Sequence, residues 1–312
     1  MPITTHSLRL MGTKIDLLID SARPEPLIDD CVALLHQYNK RFSANDDTSE
    51  LMAINQNAGI KPVKAHPELL NLIALAKTHS LDSPSQLNIA IGPLVNAWRI
   101  GFSDAHVPDD AVIQEALHLT NPRDIRLDLK NQTVFLTKKG MRLDLGAVAK
   151  GYIADLIMAY LKSQSVSAAM INLGGNVLVY GPNRNRPDHK WYIGIQNPEL
   201  KRGQNIGIVK ITNQSVVTSG IYERKLSHNG KTYHHLLSPK TGYPMDTDML
   251  SLTIVSDLSV DCELWTTRLF GLSVLEAMMM IDKTPHIEGI IITADHRIVL
   301  SEGLKEAFQR VY

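Results

Sequence analysis

Residues 142–164 read RLDLGAVAKGYIADLIMAYLKSQ, in which a short strand-like stretch passes through a small-residue turn into a helix. The first turn of a helix presents N–H groups without intrahelical partners and the positive end of the helix dipole. Gly146, Ala147 and Ala149 leave that backbone approachable, and Lys150 adds a formal charge. Such a turn can bind an anion. Small residues at a strand-to-helix turn also serve close packing alone, and the segment by itself leaves both readings open.

Outward from this turn, strand-like and helix-like stretches alternate without a regular βαβ rhythm, and there is no solenoid repeat or low-complexity run. The pattern predicts an α+β fold. Residues 7–19 (SLRLMGTKIDLLI) alternate like one strand, 25–41 repeat apolar residues at helical spacing, 67–81 form a helix opened by a proline, and 124–137 read as two short strands around a KNQ turn. INLGGNVLVYG (171–181) is strand-like with Gly174 and Gly175 inside it, either a sheet corner or a floor for something flat. Strands are also expected in WYIGIQNP (191–198), GIVKITNQSVVTSGIYER (207–224) and SLTIVS (251–256). From Asp257 to Ile281 the apolar spacing is helical through Leu264, Leu269, Leu272 and Leu275, with Met278, Met279 and Met280 expected in the core.

The composition narrows the function. The chain has 312 residues, 44% hydrophobic, with 32 Lys plus Arg offset by 32 Asp plus Glu. This describes a globular chain of one large or two medium domains and excludes disorder and collagen. A neutral balance without a basic block offers no grip on a nucleic-acid backbone, so nucleic acid is not expected as a partner. Cys31 and Cys262 form no CxxC pair and read as buried apolar residues rather than a disulfide framework or thiolate metal site. No run approaches a membrane span, and the N-terminus lacks a basic head and apolar stretch, which predicts the cytoplasm unless a leader has been removed, in which case the location would be extracytoplasmic or membrane-anchored.

Glu263 and Thr267 stand four apart on a predicted helix, so a carboxylate and a hydroxyl share one face. Oxygen ligands suit Mg²⁺, which takes one or two carboxylates and leaves other positions to water and substrate phosphates. The competing reading is a glutamate capping its own helix, with Thr267 bonded back to a carbonyl. No HExxH occurs among the twelve histidines, and His234 and His235 form one adjacent pair.

Eight blocks in order, MGTKIDLLI, SANDDTSELMAIN, IGPLVNAWRIGF, LDLGAVAKGYIAD, INLGGNVLVYG, VVTSGIYER, HHLLSPKTGYP and CELWTTRLFGL, resemble the ApbE-type FAD:protein FMN transferase family over most of the chain. The resemblance implies a single α+β domain over 1–312, with T-fold-type mixed sheets and helices, two intertwined lobes and FAD in a cleft between them. It implies cleavage of FAD at its pyrophosphate, attachment of FMN through its phosphate to a Thr or Ser of a partner flavoprotein, and release of AMP. By position, the Ala147 carbonyl, the Glu263 carboxylate and the Thr267 hydroxyl would hold Mg²⁺. Asp144 and Lys150 would contact FAD, and Met11, Leu87, Asn88 and Leu237 fall at flavin- or adenine-contacting positions. His235, in the HLLSPKTG motif, is the expected base for the acceptor hydroxyl, with an ordinary pKa of ~6.5, and His234 is expected to be a surface neighbour.

The chain departs from the family pattern at Glu263 and Asn88, where Asp is usual, at Ser238 and Lys240 in place of Asp and Arg, and at Ile221, where Asp is frequent. Asn45 stands where many members place a Tyr over the site, and its smaller, oxygen-bearing side chain would leave room for a second metal or an attacking water. The alternatives are therefore a Mg²⁺-dependent FAD pyrophosphatase releasing FMN and AMP, or a flavin-binding protein without catalysis.

Overall fold

The computed structural model describes residues 2–311. Its spine is an eight-stranded sheet of Ile3–Leu10, Thr13–Asp20, Ala168–Leu173, Asn176–Tyr180, Ser215–Gly220, Met249–Ser256, Ile287–Thr293 and Ile298–Leu300. The strands lie side by side in chain order, and every pairing is antiparallel. Helices and small sheets fill the long connections, so the fold is α+β.

Alternation along the strands divides the apolar residues between two faces. Leu17 and Ile171 face a large core with the helices Pro24–Phe42, Pro67–Leu81 and Ala149–Ser163. Leu18 and Met170 face the other way, toward the three-stranded sheet of Trp191–Gln196, Asn205–Ile211 and Phe308–Arg310. Further along, Leu252, Ile254 and Ile291 pack on the helices Ser259–Leu269 and Val274–Lys283, while Val255 and Ile290 join the opposite core. A sheet covered on both faces needs apolar residues at nearly every position. That is why Met249–Ser256 is buried almost throughout.

Three local expectations are corrected. Residues 7–19 are not one strand: the chain reverses at Met11 and Gly12, both with positive φ (54° and 70°), in a two-residue hairpin pairing Leu10 with Thr13. Gly174 and Gly175 lie in no strand but form a second such turn, with φ of 69° and 105°, between Leu173 and Asn176. A Cβ on Gly174 would meet Thr13 Oγ1 at 2.1 Å, so the two turns abut. The expected continuous helix from 257 to 281 is two helices broken at Gly271 (φ 89°), the second opened by a capping box between Ser273 and Glu276. The break turns Leu275 to solvent (70% exposed) and leaves Met279 48% exposed, while Met278 is buried.

The expected pair of strands is present as Ile125–Asp128 and Thr133–Leu136, and both cysteines are free and buried. No helix is long and apolar enough to cross a membrane among the described residues.

Candidate active site

One end of the large sheet gathers the Met11–Gly12 turn, the Gly174–Gly175 turn and the exit of Ser215–Gly220, where the Ile221 N–H bonds the Leu250 carbonyl. Asn176 begins its strand at this end, and its side chain reaches the helix Ser259–Leu269.

That helix and Ala149–Ser163 cap each other. Asp155 accepts the Ser259 and Val260 N–H groups, each at 2.8 Å, and so closes the start of the second helix. Glu263, from the second helix, accepts the Gly151 N–H at 2.8 Å on Oε2, at the start of the first. Each carboxylate meets the positive end of the opposing helix dipole. Gly151 allows this approach, because a Cβ there would lie 2.4 Å from the Ser259 carbonyl oxygen.

The Gly151 N–H would ordinarily bond the carbonyl four residues back, that of Ala147. Its diversion to Glu263 leaves the Ala147 carbonyl with no donor among the described residues. The Thr267 hydroxyl also makes no hydrogen bond among them. The back-bonded threonine is its neighbour Thr266, whose Oγ1 donates to the Glu263 carbonyl at 3.1 Å. Glu263 does cap a helix, but not its own.

Glu263 is 3% exposed. Its Oε1 accepts from Asn176 Nδ2 at 3.1 Å and lies 3.4 Å from Lys150 Nζ, which also donates to the Gly146 carbonyl at 3.2 Å. Behind Asn176, Ser259 donates to Asn176 Oδ1 at 2.7 Å, and Ser215 lies 2.9 Å from Ser259. This buried chain fixes the Glu263 rotamer. A carboxylate offers roughly four acceptor sites, so Glu263 keeps capacity beyond its three donors. The Ala147 carbonyl, the Glu263 carboxylate and the Thr267 hydroxyl are all hard oxygen donors, of the chemistry that could hold a divalent cation such as Mg²⁺.

Leading into the turn, residues 142–145 form no strand, correcting the strand expected there. The Asp144 N–H bonds the Ile89 carbonyl, and the Arg142 carbonyl accepts from Gly92. The Asp144 carboxylate accepts the Gly146 N–H at 2.7 Å and shapes the turn. Arg142 holds the Ala44 carbonyl, next to Asn45, whose side chain is exposed.

Leu87, Asn88 and Leu237 turn their side chains into the protein. Leu87 joins the large core, Leu237 packs near Trp98, and the Asn88 amide is satisfied by the Thr120 carbonyl and the Ala90 N–H. Met11 is half-buried in its turn.

Burial, the Arg224 guanidinium and, more weakly, Lys150 push the His235 imidazole down from its ordinary value to about 4, where 6.5 was expected. Its Nδ1 is buried without a partner. His234 is not a surface neighbour. It is half-buried, with Nε2 2.9 Å from the Met245 carbonyl and Nδ1 accepting from the Leu236 N–H. Both its nitrogens hold the loop. Burial and the Lys225 charge hold its pKa below the ordinary value, against the raising effect of the Met245 contact.

Sequence reasoning missed Asp155, Asn176, Ser215 and Ser259. The one available signal was an aspartate one helical turn past Gly151 in KGYIAD.

Residues 11–291 match the ApbE family. The FAD:protein FMN transferase of Klebsiella pneumoniae (strain 342) is 42% identical over 98% of this chain and 94% of its own length. That of Treponema pallidum (strain Nichols) is 34% identical over 95% and 86%. Among solved structures, the ApbE protein of Thermotoga maritima superposes with a TM-score of 0.88 at 25% identity, covering 98% of this chain and 99% of that one. The matched segment spans both reciprocally capped helices and the His235 loop, and the chain belongs to the ApbE family.

Proposed function

We propose that this chain is an FAD:protein FMN transferase, which moves FMN from FAD onto a Thr or Ser hydroxyl of an acceptor flavoprotein and releases AMP. The observation that carries the reading is the helix end at Ala147–Gly151. There an ammonium and a fixed carboxylate meet beside an open carbonyl, where helix N–H groups favour a pyrophosphate. We further take 1–312 as one domain of two intertwined lobes, a reading supported by the pairing of Thr13–Asp20 with Ala168–Leu173 across a long insertion.

In the transfer, the acceptor oxygen bonds to the FMN phosphorus, the bridging P–O bond breaks, and AMP leaves with the bridging oxygen. Lys150 neutralises charge on the phosphates, and Asp144 shapes the turn that receives them. When bound, a Mg²⁺ ion held by the Ala147 carbonyl, Glu263 and Thr267 supplies further charge neutralisation at the pyrophosphate. His235 takes the hydroxyl proton. It is neutral across the working range, and an adjacent anionic pyrophosphate raises the basicity of an imidazole otherwise held near 4. A phosphoryl transition state is loose, so proton removal is a late demand and a modest base serves it. At 87–88 and 237, contact with FAD would run through the main chain.

The test is AMP release measured together with covalent flavin on the acceptor after denaturing electrophoresis. His235→Asn is expected to lower transfer by ~10²–10⁴-fold with FAD affinity little changed. Equal loss in His234→Asn, with FAD affinity reduced in both, would assign the effect to the loop's fold instead.

A further inference from the structure

The chain is neutral overall, yet residues 221–244 hold four cations, Arg224, Lys225, Lys231 and Lys240, against one acid, Glu223. None of the four has a carboxylate partner among the described residues, and Glu223 lies 3.9 Å from Arg202, itself a further cation. Three of the four lie on or next to the hairpin Lys225–His228/Lys231–His234, which leads directly into His235. Lys225 is opposite His234 in that ladder, and the Arg224 carbonyl accepts the His235 N–H at 3.3 Å.

The hairpin is anchored on both faces, by Leu226 and Tyr233 on one and by the His234 contact with the Met245 carbonyl on the other. Leu226 and Tyr233 pack into the cluster around Trp98, with the Tyr233 and Trp98 rings 5.3 Å apart. Arg224 is seated against Gly101, where a Cβ would come within 2.7 Å of its Cδ. Lys225, Ser227, His228 and Lys231 are exposed. Lys225 and Lys231 stand on opposite faces of the ladder, the Lys231 ammonium 5.1 Å from the centre of the Tyr233 ring, so with Arg224 they edge the hairpin with positive charge that no carboxylate among the described residues neutralises, a surface complementary to negative charge.

We propose that this hairpin docks the acceptor protein through an acidic stretch near its target Thr or Ser. The proposal rests on the transferase reading and adds the chemistry of the partner. The FAD phosphates have their own cation in Lys150, on a different element. The hairpin cations belong instead to the segment that leads into His235.

The probe is a fluorescein-labelled ten-residue Glu/Ala peptide and its Gln/Ala counterpart, titrated by fluorescence anisotropy against the full chain with FAD present. The acidic peptide is expected to bind at least about tenfold more tightly than the neutral one and to weaken with added salt. Lys225→Glu with Lys231→Glu should abolish that preference while the KM for FAD stays unchanged. Equal binding of both peptides, or an undiminished preference in the double variant, overturns the proposal. So does a rise in the KM for FAD, which would assign the cations to the nucleotide. Failure of the transferase reading would show separately, as AMP release without covalent flavin on any acceptor.

Discussion

Replacing Gly151 by alanine tests whether the separation of the two capped helices sets activity. The added Cβ would lie 2.4 Å from the Ser259 carbonyl oxygen and 2.7 and 2.8 Å from the Ser259 carbonyl carbon and the Val260 Cα. All three are backbone atoms, so no side chain can swing aside. The start of Ser259–Leu269 must withdraw by about 1 Å to reach ordinary van der Waals contact. Overpacking of this kind costs ~1–3 kcal/mol, and alanine recovers up to ~1 kcal/mol of helix propensity over glycine. The protein should therefore stay folded, with Tm lowered by only a few degrees. Glu263 and Thr267 move with their helix while Ala147 stays with the other. A misplacement of ~1 Å at a reacting centre costs on the order of 10²-fold in rate. The assay is steady-state AMP release at several Mg²⁺ concentrations, with Tm measured alongside. A variant with wild-type kcat and wild-type Mg²⁺ half-saturation would refute the reasoning, because the donor set would then tolerate the displacement.

Thr267→Val keeps shape and removes the open hydroxyl, so Mg²⁺ half-saturation should rise about tenfold or more, and isothermal titration of the apo protein with Mg²⁺ reads this directly. His235 has a folded pKa near 4 against an ordinary 6.5, so the stability it contributes is complete above about 6.5 and lost as pH falls through about 4. Denaturant titrations across that window should show a shallower acid loss for His235→Asn than for wild type, and identical slopes would count against the buried neutral ring. Asp155 is the opposite case: burial raises its pKa to about 7, opposed by the two N–H groups it accepts and reinforced by the Asp261 and Glu263 charges. The stability it contributes is present below its ordinary 3.8 and is lost as pH rises through about 7. Asp155→Asn should therefore gain stability relative to wild type between pH 4 and 8 while losing activity, since an amide cannot accept both N–H groups; a pH-independent difference would contradict this. Asn45→Tyr should suppress slow FAD hydrolysis in the absence of acceptor and leave transfer largely intact, as read by AMP release with and without acceptor protein.

What the sequence determined by itself was local. The helix Pro67–Leu81 was legible because its apolar spacing and opening proline lie within one segment, as was the pair Ile125–Asp128 and Thr133–Leu136 around its turn. The order of the eight motif blocks pointed to the family, and the spacing of Glu263 and Thr267 put both on one helix face. Turns already defeated the local reading: strand-like residues run on both sides of Met11–Gly12, and only the paired positive φ values reveal a reversal. Tertiary structure alone decided the site. Asp155 and Ser259 are 104 residues apart, Gly151 and Glu263 112, and no periodicity reports that each carboxylate will close the other's helix. The low basicity of His235 likewise comes from burial and from the guanidinium and ammonium placed near it. Periodicity records which way a side chain faces along its own element. The potential at an atom and the partner of an unpaired carbonyl or N–H depend on groups brought in from elsewhere in the chain, and those exist only once the chain has folded.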